Sequence, residues 1–169
     1  MTGGDTDRLR SLADLVPILE SPEADFGHWE VPPPRDGLHS LGWFEFGPTA
    51  EAWRAAIGAG GWIKGGFDWG AWLATAEGRA LCDDPEAIAN ATPEDLARLL
   101  TAIVRSDRFV EGSISGSFES GLLARIARRA AALLAADGSV AGPEVDSAGR
   151  LPRRGPAVRP VRGTPGRAR

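Results

Sequence analysis

Apolar residues recur at three- and four-residue steps over most of the first 136 positions, the spacing of helices that bury one stripe. Leu9, Leu12, Val16 and Leu19 predict a first helix from Thr6 to Glu20. Pro17 should kink or restart it, because proline lacks an N–H and crowds the preceding turn. Ser21 to Gly42 holds Pro22, the run Pro32-Pro33-Pro34, and Gly27, Gly37 and Gly42. That stretch reads as an extended connection anchored by Phe26 and Trp29. Trp43-Phe44-Glu45-Phe46 is then either a short strand or a packed extended segment. Pro48-Thr49 opens a helix with Ala50, Trp53, Ala56 and Ile57 on one face, stopped at the Gly-rich stretch from Gly58.

Asp68 is placed to cap a helix containing Trp69, Trp72, Leu73 and Ala76, since its carboxylate can accept free backbone N–H groups. Asp84-Pro85-Glu86 opens a short helix through Ile88. Thr92-Pro93-Glu94-Asp95 opens a long one, with a hydroxyl at the cap, proline at the first position and acids near the positive end of the dipole. Its stripe is Leu96, Leu99, Leu100, Ile103 and Val104. Val110 to Ser117, rich in Gly and Ser, reads as a loop. A last helix should run from Phe118 to Ala136 and end at Asp137-Gly138, with Leu122, Ile126, Ala130 and Leu133 inward and Arg125, Arg128 and Arg129 on the other side. No internal repeat is present. The fold expected is mostly α: a small single-domain helical fold over 6–136, with extended Trp-rich connections, a disordered start at 1–5 and a disordered Gly/Pro/Arg-rich tail at 137–169.

Charge sharpens that division. The chain has 169 residues and a net charge of −4, and arginine outnumbers lysine 18 to 1. Seven arginines against Glu144 and Asp146 give residues 138–169 a charge of +5, so residues 1–137 carry −9. An acidic body of that kind repels a phosphate backbone, which leaves nucleic acid only a weak tether at the tail. The tail's six Gly and five Pro leave little to bury. One cysteine, Cys82, cannot form an internal disulfide. The first seven residues lack the basic and apolar regions of a signal peptide, and no apolar run reaches the ~18–20 residues of a membrane span. A cytoplasmic protein without a membrane partner is the expectation.

The chemistry-bearing motifs fail one by one. Lys64 lies between Ile63 and Gly65, so the glycines at 58–66 make neither a phosphate loop nor a dinucleotide fingerprint. They are better read as turns around buried tryptophans. His28, His39 and Cys82 have no metal-ligand spacing, and no nucleophile elbow is present. Neither a cofactor nor a catalytic set is expected. All six tryptophans fall between Trp29 and Trp72, and most should build the core and its rim. Trp69 and Trp72, beside Asp68, are the candidates to line a ligand.

The other candidate is Arg105 to Gly112. At about 100° per residue from Leu96, Arg105 falls near 180° and Arg108 near 120°, away from the stripe, whereas Asp107 falls near 20° and needs a partner. Arg105, Arg108 and Glu111 could form an ion-pair lattice between helices. Alternatively, the arginines, the N–H groups of Gly112 to Ser117 and the N-terminus of the last helix could hold an anion, with Asp68 or Glu111 as an acid or base.

The order Phe67-Asp68-Trp69-x-x-Trp72, then Leu99-Leu100-Thr101-Ala102-Ile103-Val104-Arg105-x-Asp107-Arg108-Phe109-x-Glu111-Gly112, then Phe118-Glu119-Ser120-Gly121 resembles a bacterial family of uncharacterised small domains. The resemblance spans about 43–135 and leaves the segments before 43 and after 136 outside. It implies a family and no reaction, and it marks Asp68, Trp69, Arg105, Asp107, Arg108, Phe109, Glu111 and Gly112. Three functions compete: a non-enzymatic interaction or regulatory module with a protein partner, a small enzyme or binding domain for an anion such as a nucleotide, and nucleic-acid tethering by the tail. The first predicts a surface patch in the Trp-rich half that stays apolar after folding.

Overall fold

The computed structural model describes residues 3–34 and 41–140, which are mostly α-helical with one two-stranded ribbon. The tail from residue 141 onward, and with it the expected disorder and tethering role, lies outside the described residues. The first predicted helix is divided. α1 (Gly3–Ala13) buries Leu9 and Leu12, and α2 (Val16–Leu19) restarts with Pro17 in its first turn, where a missing N–H costs nothing. α1 also starts three residues before the predicted Thr6.

Part of the predicted extended connection pairs. β1 (Gly27–Glu30) runs antiparallel to β2 (Trp43–Phe46), with His28 opposite Glu45 and Trp29 opposite Phe44. Phe26 anchors the ribbon by packing its ring, tilted, on Phe118, ring centroids 4.1 Å apart. Trp29 does not enter the core and stays 46% exposed.

α3 (Pro48–Ala59) buries Ala50, Trp53 and Ile57 as its spacing requires. The helix expected to run from Trp69 past Ala76 is two helices. α4 (Trp69–Leu73) stops early because Thr75 starts another turn, accepting the Gly78 N–H at 3.0 Å to cap α5 (Ala76–Asp83). α6 (Pro85–Asn90) is capped by Asp84, which accepts from Glu86 at 2.8 Å. α7 (Pro93–Ser106) opens on a reciprocal box: Thr92 Oγ1 accepts the Asp95 N–H, and Asp95 Oδ2 accepts the Thr92 N–H.

The largest departure lies at 113–119. The Gly/Ser-rich run is not a loop but α8 (Ser113–Glu119). Its N-terminus is held from outside, because Asp107 Oδ1 accepts the Ile114 N–H at 3.1 Å. Burial of Ile114 and Phe118, one turn apart, then offsets the poor helix propensity of serine and glycine. Left-handed Gly121 (φ +70) breaks the chain, so the last helix, α9 (Leu122–Val140), starts after Phe118 and continues past Gly138.

α9 is the spine. It lies along α1 and also meets α2, α6 and α8, while α7 receives α4, α5 and α8. Leu9 and Leu12 on α1, Leu96, Leu99 and Leu100 on α7, and Leu123 and Ile126 on α9 are fully buried, each worth roughly 1.5–3 kcal/mol relative to exposure. No described helix is long and apolar enough to cross a membrane.

Cys82, half-buried on α5, has its thiol pushed up by burial and then by the Asp83 carboxylate, both of which disfavour the thiolate. At pH 7.5 an aromatic disulfide reagent should therefore label it more slowly in the folded chain than after denaturation; equal rates would contradict this. The raised value stabilises the fold below the ordinary thiol range, and that contribution is lost as pH rises from about 8.5 through the folded value.

Candidate functional site

The segment from Arg105 to Gly112 turns the chain from α7 into α8, and its polar side chains are directed at backbone. Arg105, in the last turn of α7, donates from Nη2 to the Lys64 carbonyl at 2.7 Å and from Nη1 to the Phe67 carbonyl at 3.1 Å. Thr101, one turn earlier and fully buried, accepts the Lys64 N–H at 2.9 Å and donates to the Ala97 carbonyl. The two side chains clasp the glycine-rich loop between α3 and α4. That arrangement explains why so many glycines can lie there without regular structure: the loop's backbone groups bond to α7.

Asp107 has the partner its half-buried position demands, the N-terminus of α8. Glu111 Oε1 accepts the Phe44 N–H at 3.2 Å, tying the turn to β2. Gly112 is left-handed (φ +86), and a Cβ there would lie 2.6 Å from the Trp29 ring, so the indole sits directly over bare backbone. Asp68 is exposed and caps α4, accepting the Ala71 N–H at 3.0 Å. Trp72 is buried beside Phe67, its Nε1 donating to Glu77 at 3.3 Å. No ion-pair lattice joins Arg105, Arg108 and Glu111; the first and last hold backbone instead.

Arg108 differs. It is exposed, and its guanidinium has no hydrogen-bond or ion-pair partner among the described residues. Two adjoining hollows share Arg108, Ile63 and Val104. One, of about 300 Å³, lies between α3 and α7 and is walled by Trp53, Ile57 and Ile114. The other, of about 370 Å³, is closed by Trp69 and Phe109, whose rings stack at 5.9 Å. Phe109 is 78% exposed, and Val110, Trp29 and Trp43 are exposed too. Ile63 lines a hollow with Phe109, and Trp29 lies against Gly112, so apolar surface is left uncovered around this turn. Trp43 projects from the ribbon's other face, beside Glu30. Sequence reasoning missed the part played by Ile63 and Val110; the signal was the apolar pair Phe109-Val110 beyond the end of the α7 stripe.

On the ribbon's outer face His28, Glu30 and Glu45 each offer one ligating atom, all within 4.8 Å of one another. This is the one three-donor group for a metal among the described residues, and histidine spacing does not reveal it because Glu30 follows two residues on along β1 while Glu45 comes from the facing strand. His28 Nε2 already bonds Glu30 Oε1 at 2.8 Å, so two of the three donors satisfy each other.

A model of a family of unknown function matches residues 5–136. The chain belongs to that family, DUF6508. Membership begins well before residue 43, where the motif resemblance starts, and so takes in α1, α2 and the ribbon. This suits the packing, since α1 lies along α9 and Phe26 packs against Phe118. No curated protein and no solved structure matches the chain.

Proposed function

We propose that this DUF6508 domain is a non-enzymatic, cytoplasmic interaction module that seizes an apolar segment of a protein partner carrying a carboxylate. The observation that carries the reading is the pairing of exposed Phe109, stacked on Trp69, with Arg108, which has no partner among the described residues and stands between two apolar hollows. An apolar side chain would fill the hollow against Ile63 and Val104, and a neighbouring carboxylate would meet the guanidinium in partly desolvated surroundings. The occupation of Asp68, Arg105, Asp107 and Glu111 by backbone groups supports this reading over a catalytic one. A lone, half-buried cysteine suits a reducing compartment.

Arg108 also favours a second reading, a small anionic ligand such as a nucleotide, held without help from Arg105. One selection separates the two. Random peptides displayed on phage and selected on the full chain should be enriched in sequences placing an acidic residue beside apolar ones. Their binding should fall about tenfold or more, ~1.4 kcal/mol, in Phe109→Asp and in Arg108→Glu, with circular dichroism unchanged. Peptides that bind both variants like the parent, or no enrichment at all, would remove the reading. A thermal shift by nucleotides that disappears in Arg108→Ala would favour the second.

A further inference from the structure

Arg125, Arg128 and Arg129 stand at steps of three and four, which places all three guanidinium stems along one face of α9. Like charges at those steps repel, so a helix face of this kind gains from an anion. The described counter-charge is small. Arg128 pairs through Nε with Glu20, whereas Arg125 and Arg129 have no carboxylate partner among the described residues. Both are instead fixed to backbone: Arg125 Nη1 donates to the Ser120 carbonyl at 2.9 Å, and Arg129 Nε to the Ala91 carbonyl at 2.8 Å. Each retains further N–H donors, and the Arg125 Nε is shut off from solvent with no hydrogen-bond partner among the described residues.

These arginines rim a hollow of about 350 Å³ between α6 and α9, floored by Pro85, Ile88, Ala89 and Ala132. The floor is apolar, and Ile88 is itself part of the core. We propose that this hollow is a second binding site, separate from the Phe109 surface, for a small oxyanion (a carboxylate or a phosphate monoester) on an apolar body. A bare anion would leave the floor wet, and a neutral apolar molecule would leave the guanidinium groups unused. The size suits a body of one ring or a short chain, at the small end of ligand pockets. Pinning Arg125 and Arg129 to backbone reduces the ordering cost that long side chains otherwise impose on binding.

The test is calorimetric or NMR titration of the full chain with hexanoate, phenyl phosphate, inorganic phosphate and phenol. Hexanoate or phenyl phosphate should bind about tenfold more tightly than inorganic phosphate or phenol, and the preferred one identifies the oxyanion. Arg128→Gln removes a charge from an exposed stem, and Ala132→Phe fills the hollow while keeping every charge. Each should weaken that binding by about tenfold, and Phe109→Asp should leave it unchanged. The proposal is overturned if neither amphipathic anion binds below about 10 mM, or if inorganic phosphate binds as well as phenyl phosphate and hexanoate. It is equally overturned if Ala132→Phe and Arg128→Gln both bind like the parent. Should Ala132→Phe fail to fold, Arg128→Gln decides.

Discussion

Arg105→Ala should lower the stability of the chain by about 2–4 kcal/mol, as read from urea unfolding. The guanidinium makes two charge-assisted hydrogen bonds to the Lys64 and Phe67 carbonyls, and such bonds are each worth roughly 1.5–3 kcal/mol. Truncation leaves both carbonyls without their donor and releases the loop that carries Ile63 to the apolar surface. Arg105→Lys should recover only part of the loss, because one ammonium cannot reproduce a planar fork aimed at two acceptors. Thr101→Val breaks the other half of the clasp, so its cost should not simply add to that of Arg105→Ala. A change under about 0.5 kcal/mol in Arg105→Ala would show that these bonds do not hold the loop.

The second large effect is expected at Trp53. Trp53→Ala should cost about 3–5 kcal/mol, since the indole is almost fully buried and meets Phe118 edge-on at 5.8 Å. The same ring walls the 300 Å³ hollow beside Arg108, so truncation should enlarge it. Peptides selected on the parent should then bind more weakly even where the variant remains folded, for instance at low temperature. Thermal unfolding checks the first expectation and peptide titration the second. A variant as stable as the parent would show that Phe118 and Ile57 close over the gap.

Helices that carry their own start chemistry could be read directly from the sequence. Thr92 with Asp95, Asp84 before Pro85, and Pro48 after Gly47 are local devices, and α7, α6 and α3 begin where those residues place them. α8 could not be read that way. Its residues prefer loops, and its cap comes from Asp107, seven positions before the N–H it accepts. The Ser106 and Ser113 hydroxyls bond to each other at 2.7 Å across the same turn. β1 was hidden for a similar reason, since four residues in a proline-rich stretch become a strand only when Trp43–Phe46 lies alongside.

The candidate site was legible as a segment but not as an arrangement. Angular position on α7 placed Asp107 where it needs a partner, and the structure supplies one. It also set Arg105 and Arg108 on the outer side together, and they separate sharply in use. Arg105 reaches carbonyls 38 and 41 residues earlier in the chain, a destination no spacing rule encodes. Arg108 is left to solvent.

The distribution of tryptophans gives the molecule its own optical reporter. Trp53, Trp62 and Trp72 are buried, Trp69 is half-covered, and Trp29 and Trp43 are exposed at 46% and 49%. With no tyrosine in the chain, near-ultraviolet emission comes almost wholly from these indoles. Two of the less buried ones lie on the Phe109 side: Trp69 stacks on Phe109, and Trp29 covers Gly112 three residues on. Trp43 projects from the ribbon's other face, beside Glu30. The buried set emits from rigid apolar surroundings and supplies a steady blue background. Red-edge emission therefore comes from Trp29, Trp43 and Trp69, and whatever settles on the Phe109 side covers two of these three and shifts the chain's light without any added dye.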